Sequence, residues 1–419
     1  MLLILTALLS IGPHVGHEGG AVQEWTLSHP DPHPAAERAF RVVTDTSRSQ
    51  LLMAQQDLDD IIYVSLVTGQ EPAMGSFDVM EYSPSRLAHG ARPWGQVESW
   101  IRWVADDAFV SLSWHWNAPM FLHDDEGREW WRGFYADASA FDVRAAVDEP
   151  ESAERAAMLR DIDAIAVELE KFRDAGVPVF WRPLHEAWGG WFWWGKAGPG
   201  AYGKLWRILY ERLAVHHGLD HLIWVYTHRD AGWYPGDDVV DVIGVDLYGS
   251  DARTDRAWAD LRRTFGRRKP FAVTETDRLP DPTAMRARGE RWAWYSMWAD
   301  DHIRDIRVAT LQRAYSHPDV FTRSSLTRWR TDEATRYAGN LETPAALDVI
   351  PLESERKLVL VLPDEARGFI RILGAGSETL RRGRVSGSEI WDVSDLPAGN
   401  YVVRWFARGS QGFTRFRIP

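Results

Sequence analysis

Short apolar runs recur along the first three-quarters of the chain, and amphipathic stretches separate them. Eight runs have the length of buried strands: Gln50–Ala54, Asp78–Tyr82, Phe109–Trp114, Val177–Trp181, Leu222–Tyr226, Val242–Val245, Phe271–Thr274 and Trp294–Trp298. The clearest helical stretch is Ala153–Ala175, where Met158, Leu159, Ile162, Ile165, Ala166 and Leu169 recur at steps of three and four. Lys171, Arg173 and Gly176 end it, as the helix dipole and a left-handed cap require. Strands alternating with helices over about 280 residues predict an α/β chain folded as a (β/α)8 TIM barrel. After Tyr337 the pattern changes to period two. Leu358–Leu362, Phe369–Leu373, Glu389–Val393 and Tyr401–Ala407, with a turn at Pro397-Ala398-Gly399-Asn400, predict a small β-sandwich. The expected division is a signal-like segment and linker over 1–34, a catalytic barrel over 35–345 and an accessory or sorting β-domain over 351–419.

The N-terminal run MLLILTALLS resembles the apolar core of a signal peptide, without its basic start or a small-residue cleavage site. The Gly-, His- and Pro-rich stretch after it holds His14, His17, His29 and His33 at irregular spacing, the pattern of a solvated linker and not of a metal site. No later run is long enough to span a membrane. The 419 residues, 45% of them hydrophobic, can bury one large core and a smaller one. A net charge of −12 without a basic run argues against nucleic acid and suits a neutral polymer. Cysteine is absent, which excludes disulfides, thiolate metal sites and a cysteine nucleophile.

Chemistry concentrates in VPVFWRPLHEAWGGWFWWG, where Trp181, Trp188, Trp191, Trp193 and Trp194 surround Arg182, His185 and Glu186. Aromatic faces beside a carboxylate suit a ligand with C–H-rich faces and a hydroxylated rim, which describes a sugar. If Val177–Trp181 is a barrel strand, Glu186 leaves its C-terminal end, where barrel enzymes place their reactive groups. Glu275, in AVTETD, closes the Phe271–Thr274 strand at the same rim. Two carboxyls at one rim are what glycoside hydrolysis needs, one to protonate the leaving oxygen and one to attack the anomeric carbon. A salt bridge to Arg182 is the alternative for either Glu alone.

WRPLHEAWGGWFWWG resembles the acid/base region of glycoside hydrolase family 26, best known for endo-β-1,4-mannanases. SLSWHWNAP, FYADASAFDV, AGVPVFWRP, VIGVDLYG and AVTETD resemble that family in the same order, across roughly Ser49 to Thr322. The resemblance implies that Glu186 is the general acid/base and Glu275 the nucleophile. It sets His115, His185, Trp191, Tyr248 and Trp298 along the substrate: Tyr248 on the nucleophile, Trp191 as an aromatic floor, Trp298 under the reacting sugar with Trp294 as its competitor. Arg182 joins the substrate-binding candidates at this rim, and its rigid fork suits orienting a carboxylate more than holding the sugar itself. Trp188 departs from the family, many of whose members have a small or polar residue there.

The resulting expectation is a retaining endo-hydrolase of β-1,4-mannosidic bonds, its two carboxyls about 5–5.5 Å apart. β-1,3-xylan or mixed-linkage glucan is an alternative substrate, and a non-hydrolytic carbohydrate-binding protein an alternative class. No metal or organic cofactor is required. A monomer that binds a β-linked polysaccharide or oligosaccharide, secreted or held at the cell surface, is expected.

Overall fold

The computed structural model describes residues 25–93, 95–104, 108–326, 347–352, 355–362, 367–374, 378–407 and 410–419. The signal-like run, with His14 and His17, lies outside them.

Eight parallel strands close into a barrel: β1 (Leu51–Gln56), β2 (Met74–Asp78), β3 (Phe109–Ser113), β4 (Val179–Arg182), β5 (Leu222–Thr227), β6 (Val242–Leu247), β7 (Phe271–Thr276) and β8 (Trp292–Met297). β1 pairs with both β8 and β2, so the barrel has no open edge, and a two-residue strand, β9 (Val320–Phe321), lies outside β1. Helix α1 (Pro34–Thr46) precedes the barrel and α2 (Leu58–Thr68) follows β1. Ala36, Ala39 and Phe40 of α1 join one buried cluster with Leu52, Phe109, Phe180 and Trp294, so α1 plugs the N-terminal end. Its N-cap is His33, whose ring nitrogen accepts from the amide of Ala35.

Residues two apart on a strand share a face, so each inward position predicts the next. Phe180 lies within the barrel core, and Arg182 two residues on faces the same interior nearer the mouth. The middle layer is small: the Ser76 and Ser296 hydroxyls meet at 3.1 Å, and the Ser111 hydroxyl donates to the Phe180 carbonyl. Beyond this layer, at the C-terminal mouth, stand Asp78, Arg182, Asp246 and Glu275. β7 breaks the alternation. Val273 opposes Val245 but Glu275 opposes Asp246, a bulge that leaves Thr274 as the extra residue. Thr274 and Glu275 consequently both point inward. Gly244 opposite permits this, since a Cβ there would come 2.6 Å from the Thr274 methyl.

The long helix runs from Ala153 to Asp174, capped by the Ser152 hydroxyl, and Gly176 turns out of it with φ +64°. One strand differs from expectation. The second runs over Met74–Asp78, and Met80–Tyr82 is a short 3₁₀ turn, so the Asp78–Tyr82 reading is corrected. Gly75 and Ser76 interrupt the apolar signal because the bulk at this point comes from elsewhere: a Cβ on Gly75 would meet the rings of Phe77 and Trp103.

Among the described residues, seven antiparallel strands form the C-terminal domain. β10 (Asp348–Leu352), β11 (Lys357–Val361) and β14 (Glu389–Asp392) make one sheet; β12 (Arg367–Leu373), β13 (Thr379–Ser386), β15 (Gly399–Ala407) and β16 (Ser410–Ile418) make the other. Leu358, Leu360, Ile370, Ile372, Val403 and Phe416 pack in a core of their own.

Candidate active site

The barrel mouth is built around Arg182. Its guanidinium donates to Asp246 of β6 at 3.1 Å and is in hydrogen-bonded ion pair with Glu275 of β7, with all three side chains closed off from solvent. Asp246 also accepts from the Thr274 hydroxyl at 2.6 Å, so the bulge residue supports the carboxylate beside it. The other oxygen of Glu275 accepts from the Tyr248 hydroxyl at 2.8 Å. Arg182 is buried behind the carboxylates and not along the substrate, its fork bridging Asp246 and Glu275 on two strands, which is the carboxylate-orienting placement its geometry suits.

Glu186 stands four residues beyond the end of β4. Leu184 and Glu186 both take left-handed backbone conformations, with φ 52° and 53°. Such a conformation costs about 1–2 kcal/mol per non-glycine residue, and strain of this kind collects where a side chain must be aimed. The aim here is inward: oxygens of Glu186, Asp246 and Glu275 all lie within 4.8 Å of one another. Three carboxyls this close could hold a cation, and Arg182 already supplies one positive charge to two of them.

Burial, and then the negative charges of Asp246 and Glu275, push the Glu186 carboxyl up to about 8 against the pull of Arg182. Burial raises Glu275 too, but there the Arg182 charge and the Tyr248 hydrogen bond oppose it. Both carboxyls are thus raised, Glu275 to about 7 and Glu186 to about 8, so that Glu186 is the one that holds a proton more strongly.

The aromatic loop divides into inner and outer rings. Trp193 and Trp194 are buried; their indole N–H groups donate to the carbonyls of Trp116 and His185, which braces the loop. Trp181 is also buried, on β4. Trp191 is 42% exposed and donates to Glu186 at 3.0 Å. Its ring lies over Gly189, where a Cβ would come 2.0 Å from it, and a Cβ on Gly195 would come 1.9 Å from the Ala187 carbonyl. The glycines of this loop are thus space for rings and backbone to approach. Trp188 stacks on His228 with centroids 4.1 Å apart, and burial lowers that imidazole to about 4, so the stack joins two neutral rings.

His115 follows β3 and is hydrogen-bonded through Nδ1 to Asp78, whose other oxygen accepts from the His115 amide at 3.1 Å. The Nε2 atoms of His115 and His185 meet at 3.2 Å. Burial, and then the charge of Arg182, hold His185 well below its ordinary value, so it is neutral beside Glu186. Trp298 follows β8 with its ring edge-on to Tyr248 at 6.3 Å, whereas Trp294 is in the barrel core. Asp246 and Asp78 had not been singled out from the sequence. Their signal was a lone acid within an apolar strand, VIGVDL and GSFD, at the last inward position.

Residues 40–325 match the family model described as Glycosyl hydrolase family 26. A mannan endo-1,4-β-mannosidase of Thermothelomyces thermophilus is 40% identical over 306 residues, covering 71% of this chain and 63% of that one. Mannan endo-1,4-β-mannosidase B of Piromyces sp. is 27% identical over 329 residues, 75% of this chain and 56% of that one. The chain thus spans somewhat under two thirds of the length of these relatives. The Podospora anserina GH26-CBM35 β-(1,4)-mannanase superposes with a TM-score of 0.71 at 40% identity, over 74% of this chain and 70% of that one. A β-mannanase from a symbiotic protist of the termite Reticulitermes speratus, complexed with gluco-manno-oligosaccharide, gives 0.64 at 26% identity over 73% and 99%.

Proposed function

The chain belongs to glycosyl hydrolase family 26, and from that premise we propose that it is a retaining endo-hydrolase of β-1,4-mannosidic bonds in mannan-type polysaccharides. The observation that carries the reading is the pair Glu186 and Glu275, with oxygens within 4.8 Å of each other and only Glu275 ion-paired with Arg182. A retaining pair stands about 5–5.5 Å apart, while an inverting pair needs about 6.5–9.5 Å to admit a water.

Glu275, oriented by Arg182 and Tyr248, attacks the anomeric carbon. The glycosidic C–O bond breaks as Glu186 gives its proton to the departing oxygen, leaving a glycosyl ester on Glu275. Glu186 then takes a proton from water, the hydroxide adds to the anomeric carbon, and the ester oxygen leaves as the Glu275 carboxylate. Loss of one negative charge at Glu275 on ester formation lowers the proton affinity of Glu186, as its change from acid to base requires. Trp191, bonded to Glu186, is the floor for the leaving part of the chain. His115, His185 and Trp298 border the reacting sugar, and beyond them a cavity of about 440 Å³ takes the retained part.

Reducing-sugar release from mannan, β-1,3-xylan and lichenan tests the substrate. Release from mannan above the others, abolished by Glu275→Ala with oligosaccharide binding kept, is expected. Release from xylan or lichenan alone would replace mannan, and no turnover by the parent would leave a binding protein. We also propose that the protein is exported, on the apolar run MLLILTALLS and the β-domain tail. Recovery from the source cells only in cytosol would overturn that.

A further inference from the structure

The C-terminal β-domain docks on the flank of the barrel that holds the retained part of the substrate. Val402 of β15 belongs to the main barrel core, and Leu373 and Phe413 pack against it. Charged contacts flank this apolar centre. Arg415 of β16 makes a bidentate pair with Glu71 at 2.7 and 2.8 Å, and Glu71 is also held by the indole of Trp103 at 2.8 Å and by Arg323 at 3.0 Å. Arg404 of β15 pairs with Asp59 in the first turn of α2.

That first turn connects with the cleft through its other acids. Asp57 caps α2, accepting from the amide of Leu58 at 2.6 Å, in a backbone conformation with φ 64° that a non-glycine residue seldom adopts. Asp57 lines the 440 Å³ cavity with Gln56, His115, Trp298 and Asp300. Asp60 is buried; it accepts from the Asp300 amide at 2.7 Å and from Arg304 at 2.5 Å, and so holds the segment after Trp298. Asp300 has φ 57°. Two strained aspartates thus form one polar wall of the cavity, and both depend on the first turn of α2. Three carboxyls in that turn repel one another, and Arg404 is the cation that the other domain brings to them.

We propose that the C-terminal domain is a working part of the substrate cleft: Arg404, through Asp59, holds the first turn of α2 so that Asp57 and Asp300 stand as the polar wall for the sugar next to the reacting one. Arg404 is a positioning residue, and Asp57 and Asp300 are substrate-binding residues. The assignment of the cavity to the retained sugars rests on the function proposed above.

The test compares the full-length parent with Arg404→Ala and Arg404→Lys. Aryl β-mannoside, which fills only the reacting position, and aryl β-mannobioside, which also reaches the cavity, are the substrates. In Arg404→Ala the KM for the mannobioside should rise about fivefold, near 1 kcal/mol, with kcat close to the parent value and mannoside kinetics unchanged. Arg404→Lys should recover most of the loss. Hydrogen exchange reads the same coupling without turnover: amides of residues 57–62 and 299–304 should exchange faster in Arg404→Ala. Unchanged mannobioside KM, or faster exchange confined to residues beyond 347, would overturn the proposal even if the melting temperature fell. A parent inactive on both substrates and on mannan would refute the functional reading, while the exchange measurement would still decide the coupling.

Discussion

Replacing Asp246 by Asn separates the charge that raises Glu186 from the shape that holds Arg182. An Asn oxygen can still accept from Thr274 and Arg182, so the barrel mouth keeps its outline while losing one negative charge. Asp246 is the leading charged neighbour that raises the Glu186 carboxyl, with an oxygen inside 4.8 Å. Two unit charges at that distance interact by roughly 3 kcal/mol at an effective dielectric near 20, or about two pH units at about 1.4 kcal/mol per unit. Arg182, relieved of one carboxylate, pulls in the same direction. The sign is fixed: removing a negative neighbour makes the acid easier to ionise. Glu186 should fall from about 8 by about one to two units, and the alkaline limb of kcat/KM should move to lower pH by that amount. The assay is initial hydrolysis of mannan at low substrate across the pH range, for parent and Asp246→Asn. The height of the profile will also drop, but the limb position reports the proton. A limb that stays in place, or moves to higher pH, would refute the electrostatic account of the general acid.

Trp191→Ala removes an exposed ring from the leaving-group side and a hydrogen bond from Glu186, and kcat/KM on mannohexaose should fall about tenfold, chiefly through KM. An unchanged KM would exclude Trp191 as the floor. Glu186→Gln should stabilise the fold with a definite pH dependence. The carboxyl rises from 4.5 to about 8 on folding, so its ionisation opposes the native state, an effect absent below 4.5 and complete above about 8. The gain in melting temperature should therefore be larger at alkaline than at acidic pH, and the reverse order in a thermal scan would contradict it.

The barrel was legible because seven of its strands, buried on both faces, read as apolar runs bounded by helical stretches. β2 was misplaced because Gly75 and Ser76 leave room for rings supplied from Phe77 and Trp103, a packing fact with no local pattern. In the β-domain, β10, β13 and β16 were not recognised: all three lie at sheet edges, and Arg381, Arg382 and Arg384 of β13 read as surface. At the site, Glu186, Glu275 and the tryptophan loop were visible as chemistry in an unusual density. Asp246 was not, since its importance comes from the Thr274 bulge, which sets it opposite Glu275, and no residue pattern in AVTETD announces a bulge. Arg182 was seen as chemistry, but its burial could not be read from sequence because it follows from two partners on distant strands.

The stereochemistry of the first product tests the central claim, that Glu186 and Glu275 act as a double-displacement pair. Proton NMR of mannohexaose during the first minutes of hydrolysis, before mutarotation, distinguishes the anomers. Retention predicts that the new reducing ends appear first as the β-anomer and equilibrate later to α. Initial appearance of the α-anomer would mean direct attack by water, and would contradict the retaining pair on which the account depends.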